Sequence, residues 1–164
     1  QQKACEGYCG LVERLQELDP PVYLVPTGAG DRFMHDVAEE TGTPIVPAEV
    51  PILMGGAILA NARLFVTGRY HPSIMAAAGG TPCVFLGADS HKTQSLQRML
   101  GYEDPHVFSA IPTPEEHDDI LARGRELMAG GRTVRNRIQR ESEARAEEAE
   151  RLATLIRGTD DPSR

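Results

Sequence analysis

Between residues 64 and 100 the chain repeats one unit, an apolar run, a glycine and a polar cluster that opens a helix. The first run ends in Thr67-Gly68-Arg69-Tyr70-His71 and leads into the Ala-rich stretch Met75-Ala76-Ala77-Ala78. The second, Cys83-Val84-Phe85-Leu86, stops at Gly87, and Ser90-His91-Lys92 opens another helix. Short apolar runs alternating with helical periodicity are the pattern of βαβ units, which assemble into a parallel sheet. In such a sheet the carboxyl ends of neighbouring strands and the amino ends of the following helices face one crevice, where ligands bind. Both polar clusters are therefore expected there.

The alternation extends on either side. It predicts a helix over 3–18, a strand over 22–26 ending in Thr27-Gly28-Ala29-Gly30, a helix over 31–40 and a short strand over 43–46. A buried apolar helix ending near Ala60 follows, then strands over 64–67, 83–86 and 106–108, with helices from about Pro72 and over 92–100 between them. Right-handed crossovers put helices on both faces of the sheet. The expected fold class is Rossmann-like α/β, with a core over 1–110 and C-terminal helices over 111–164 packing on the same domain. Thr113-Pro114-Glu115-Glu116 reads as an N-cap, a proline at the first helical position and acids in the first turn. Gly130-Gly131 breaks that helix. The next, over 132–157, carries Val134, Ile138, Ala149, Leu152 and Ile156 at spacings compatible with one apolar stripe.

With 164 residues, 40% of them hydrophobic, the chain is long enough to bury one core. Its net charge of −7 opposes attraction to a polyphosphate backbone, so nucleic acid is not expected as a partner. No apolar run approaches the roughly 20 residues that span a bilayer. The three cysteines are an odd number, and Cys5 and Cys9, one helical turn apart, suit neither a disulfide framework nor a CxxC site. They read as reduced, buried thiols. No His/Cys/Asp spacing resembles a zinc site and no Asp-rich loop argues for calcium or magnesium, so neither metal nor cofactor is expected.

Arg69 and His71 sit two apart just past a strand, and Gly68 lets a ligand approach the backbone. A guanidinium forks onto a carboxylate or phosphate, and an imidazole donates or accepts a proton near neutrality. Together they suit an anionic substrate that needs proton transfer. The structural alternative is that Arg69 pairs with an acid and His71 caps a helix. One unit later, Ser90 and its neighbouring amides at a helix start can receive negative charge, with Lys92 as a point cation; Ser90 is also an ordinary N-cap. Thr27 and Gly28 begin a glycine loop that lacks the full dinucleotide fingerprint, and Asp31 reads as the next N-cap. Glu49, ahead of an apolar helix, can accept a hydrogen bond from a sugar hydroxyl. His35, His106 and His117 read as structural.

At these residues the sequence resembles the C-terminal half of the polysaccharide pyruvyl transferase family. Phe65-Val66-Thr67-Gly68-Arg69-Tyr70-His71 is similar to the family's strand followed by Ser-Arg-x-His, and the Ala-rich helix running into Gly80-Thr81-Pro82 to its Gly-x-Pro strand entry. Ser90-His91-Lys92 resembles its Ser/Asp-x-Lys turn. Two departures are Gly68, where the family commonly has Ser, and the added His91. The resemblance implies the C-terminal domain of a GT-B-like, two-domain enzyme whose amino-terminal domain is expected to lie outside this chain. It implies transfer of an enolpyruvyl group from phosphoenolpyruvate to two sugar hydroxyls, with Arg69 and His71 as the donor-site pair and Lys92 in support. A cytoplasmic location and a homo-oligomer fit that reading. Two other functions stay open: a GT-B glycosyltransferase using a nucleotide-sugar donor, and a noncatalytic binding or assembly module.

Overall fold

A computed structural model describes residues 2–87 and 90–159, the side chains of 29, 90 and 157–159 excepted. Three parallel strands, β1 (Phe65–Thr67), β2 (Cys83–Leu86) and β3 (Val107–Phe108), form a sheet in the order β1-β2-β3. Phe65 lies level with Cys83, Thr67 with Phe85, and Phe85 with Val107. The crossovers are α4 (Tyr70–Ala78) and α5 (Ser90–Met99). Successive residues of a strand face opposite sides, and all four residues of β2 are buried. Both faces are therefore covered, and α4 and α6 (Pro114–Ala129) both pack against β2. This mixed α/β architecture is the Rossmann-like fold expected from the sequence.

The strands expected over 22–26 and 43–46 shrink to one parallel bridge, Leu24 with Ile45, outside the three-stranded sheet. Helix α1 (Gln2–Leu15) lies against both parts. Its Leu11 and Leu15 join the main core around Phe85 and Ile120, while Cys5, Cys9 and Val12 pack with Leu24 and with Val37 of α2 (Phe33–Thr41). Gly42, in the left-handed region at φ 65°, ends α2. Helix α3 (Ile52–Asn61) is less buried than its composition suggests. Leu59 is inside, but Ile52, Leu53 and Met54 are exposed because no other element among the described residues covers the outer face.

The tail begins as its sequence indicates. Thr113 is the N-cap of α6, Pro114 is the first helical residue, and the Glu116 carboxylate accepts the Thr113 N–H at 3.0 Å. Helix α7 (Gly131–Thr159) packs against α4, and its Val134 and Ile138 join the main core. The expected stripe does not continue inward, since Ala149, Leu152 and Ile156 are exposed. What holds α7 down is Arg135. Its guanidinium donates to the carbonyls of Ala60 (3.1 Å), Ala62 (2.6 Å) and Gly79 (2.8 Å), which end α3 and α4 and have no intrahelical donors left.

Candidate functional site

The parallel register brings the ends of β1 and β2 to one edge of the sheet, with Gly68 beside Leu86. A side chain at Gly68 would stand 3.4 Å from the Leu86 carbonyl oxygen, so the glycine keeps the chain close to β2. Arg69 follows as the N-cap of α4, in extended conformation. Its N–H donates to Thr67 Oγ1 at 3.0 Å, and the fully buried Ser73 hydroxyl donates to its carbonyl at 2.6 Å. The backbone of Arg69 is thus fixed from both sides, and its half-exposed side chain extends from a rigid base.

That side chain meets Asp31. The Asp31 carboxylate is almost fully buried and accepts the Thr27 N–H at 2.9 Å, the Thr27 hydroxyl at 3.1 Å and the Nη2 of Arg69. Burial acts to raise its pKa, but the Arg69 guanidinium and the Thr27 donors outweigh it, and the carboxyl titrates below its ordinary value. The loop Thr27–Gly30 therefore wraps a carboxylate. A Cβ at Gly30 would reach within 3.1 Å of Arg69 Nη2, so that glycine leaves room for the pair. Nε and Nη1 of Arg69 have no acceptor among the described residues. Asp31, read from the sequence as an N-cap, is instead the acid that pairs with Arg69, which is the structural alternative the sequence offered for that arginine.

Behind this pair a cavity of about 890 Å³ separates the 22–27 segment from β1. Its walls are mostly apolar, with Tyr8, Leu11 and Leu15 from α1, Leu24 and Val25 opposite, and Phe65 and Val66 of β1. Its polar end is made by Thr27, Asp31, Gly68 and Arg69. Tyr8 closes one side, its hydroxyl donating to the Ala110 carbonyl at 2.9 Å and its phenol pKa raised by burial and by the charge of Asp31.

The other candidates lie off this cavity. His71, in the first turn of α4, is exposed and touches the ring of Tyr70 edge-on at 5.6 Å. Lys92 is exposed in the first turn of α5, at the same edge of the sheet. Gly28 is exposed with an extended backbone that any residue adopts, and Glu49 is exposed in the turn before α3. Ser90 opens α5, and its side chain lies outside the described residues. So the structure joins Arg69, Gly68 and Thr27 around Asp31 and leaves His71 and Lys92 on neighbouring helix starts.

The fold is that of a Rossmann-like α/β protein, with an Arg69–Asp31 ion pair at the carboxyl edge of its sheet. The family model for polysaccharide pyruvyl transferase matches residues 8–90, half of the chain, and the chain belongs to that family. The match includes the Asp31–Arg69 pair and most of the cavity wall. No curated protein and no solved structure matches the chain. Among the described residues no helix is long and apolar enough to cross a membrane.

Proposed function

We propose that this chain provides the donor site of a cytoplasmic transferase that moves an enolpyruvyl group from phosphoenolpyruvate to two hydroxyls of a sugar, forming a cyclic ketal. The observation that carries the reading is the Arg69 guanidinium, fixed by Asp31 at the polar mouth of the cavity with two nitrogens unassigned. A small dianion needs such a fixed, forked donor. Thr27 and Gly68 flank it, and Gly28 continues the loop.

A proton added to the methylene carbon of the donor makes the neighbouring carbon electron-poor, and one sugar hydroxyl adds there with loss of its proton. Phosphate leaves with the pair of electrons of its C–O bond, and the second hydroxyl closes the ring. Of the two hydroxyl protons, one balances the new methyl group and the other leaves with phosphate. In this scheme His71 carries protons, Arg69 holds the carboxylate, and Lys92 with the amides at Ser90 receives the phosphate. Glu49 accepts from a sugar hydroxyl, and a further domain outside this chain supplies most acceptor contacts.

The nucleotide-sugar alternative needs the Thr27–Gly30 loop for a pyrophosphate. The Thr27 N–H is already committed, and the buried Asp31 charge sits inside that loop, which weighs against a second anion there. The experiment is thermal unfolding of the full chain with phosphoenolpyruvate, UDP, GDP or TDP. Saturating phosphoenolpyruvate at about 100 times its Kd adds about 2.7 kcal/mol, and Arg69→Ala removes that gain. Stabilisation by a nucleotide alone overturns the reading in favour of a glycosyltransferase, and no stabilisation by any of them favours a noncatalytic module. In the complete enzyme His71→Ala lowers turnover on the order of a hundredfold or more; unchanged turnover removes His71 from the scheme.

A further inference from the structure

On the face of α1 that packs against α2, two thiols and a carboxylate converge. Cys5 and Cys9 are both buried, with their Sγ atoms 3.9 Å apart. Cys9 Sγ lies 3.2 Å from Glu40 Oε2, and Cys5 Sγ lies 3.8 Å from Glu40 Oε1. Each residue offers one donor atom, and these atoms lie within 4.8 Å of one another. We propose that Cys5, Cys9 and Glu40 form a binding site for a thiophilic divalent cation of the zinc type, which clips α1 to α2.

The geometry is that of a coordination polyhedron. A tetrahedral zinc with Zn–S near 2.3 Å and Zn–O near 2.1 Å sets its sulfurs about 3.8 Å apart and each sulfur about 3.6 Å from the oxygen. The sulfur separation of 3.9 Å lies close to its ideal, and although the two short sulfur–oxygen approaches run to different oxygens of Glu40, one donor atom from each residue lies within 4.8 Å of the others, so a rotation of the exposed carboxylate brings one oxygen to both sulfurs. The donor set of two thiolates and one carboxylate is soft enough to select zinc over magnesium or calcium. A water supplies the fourth position. On binding, the two thiol protons pass to solvent, and no oxidant or reductant is involved. Without metal the thiols are donors to Glu40, a satisfied hydrogen-bonded cluster, and the experiment separates that arrangement from a metal site.

The site was not legible from spacing because its ligands come from two helices more than 30 residues apart in sequence. It is also separate from the Asp31–Arg69 pair, although Tyr8 and Val12 of the same helix line the cavity.

The test is a titration of the reduced, chelator-treated full chain with Co²⁺, read by the near-ultraviolet thiolate-to-cobalt charge-transfer absorption, followed by displacement with Zn²⁺ against a chromophoric chelator. One equivalent binds, and Zn²⁺ raises Tm. Cys5→Ser and Cys9→Ser each lose or halve the band. Glu40→Gln, at an exposed position that tolerates change, keeps the band but weakens Zn²⁺ at least about tenfold, the lower end of what even an outer-shell partner contributes. Cys83→Ser, in β2, changes neither readout. Arg69→Ala also leaves both unchanged, which keeps this result independent of the donor site. The absence of a band, a band that survives both cysteine substitutions, or unchanged Zn²⁺ affinity in Glu40→Gln overturns the proposal.

Discussion

Two stretches of parallel pairing sit side by side in this molecule and differ sharply in quality. In β1-β2-β3 the ladder runs through Phe65, Val66 and Thr67 against Cys83, Val84 and Phe85 without a proline inside it. The Leu24–Ile45 pair has one rung. Leu24 N–H donates to the Pro44 carbonyl and Val46 N–H to the Leu24 carbonyl, each at 2.8 Å. Pro47 then has no N–H to give, Pro44 has none either, and Pro26 ends the other segment. Apolarity drives both stretches inward, but only the donors decide whether they become a sheet. The cavity lies in the seam between them, so one of its walls is incompletely paired and the other is held by the fully paired sheet.

The largest test of that contrast is Gly80→Ala, in the turn that feeds β2. Gly80 has φ +73°, and a Cβ there runs into the Arg135 carbonyl. Strain and overlap together should cost about 5 kcal/mol, enough to unfold much of the population in a urea titration. Phe85→Ala, in the middle of the well-paired half, should cost about 3–5 kcal/mol by the same measurement. Leu24→Ala should cost about 2 kcal/mol, the low end for its type, because its side chain already borders a cavity and its loss enlarges a space instead of opening one. Equal losses at Phe85 and Leu24 would erase the distinction between the halves.

The smallest effect concerns the seam itself. Asp31→Asn should cost about 1–2 kcal/mol near neutrality, a range set low because Arg69 is half exposed to solvent. The folded carboxyl titrates below its ordinary value of 3.8. Its contribution is therefore complete above about pH 4 and is lost as pH falls through the lowered value. Stability measured against pH should lose that acid limb in Asp31→Asn, while Leu24→Ala keeps it.

What was legible in the sequence follows the same line. The run Cys83–Leu86, the helix start after Gly68 and the capping box at Thr113 were readable because each is decided by neighbours in the chain. The segments 22–26 and 43–46 read as strands because an apolar count ignores which residues lack a donor. Helix α3 read as buried because composition does not say whether a partner exists for Ile52, Leu53 and Met54. Of the site, the register made the shared edge of Arg69 and Lys92 foreseeable, whereas the Asp31 pairing depends on how a loop folds back across 38 residues. Arg135 left no signal at all. Its acceptors are backbone carbonyls, identical in every sequence, and only their positions in space make a guanidinium necessary.

That guanidinium sets where the chain can be shortened. A fragment cut before residue 135 takes the guanidinium from three carbonyl groups, leaving Ala60 and Ala62 to share the single Thr81 hydroxyl proton and Gly79 without its side-chain donor, so the trimmed piece should be less stable in a urea titration. A fragment ending between residues 145 and 150 keeps the anchor together with Ile138 and sheds the exposed Leu152 and Leu155. The minimal domain ends inside a helix, not at its boundary.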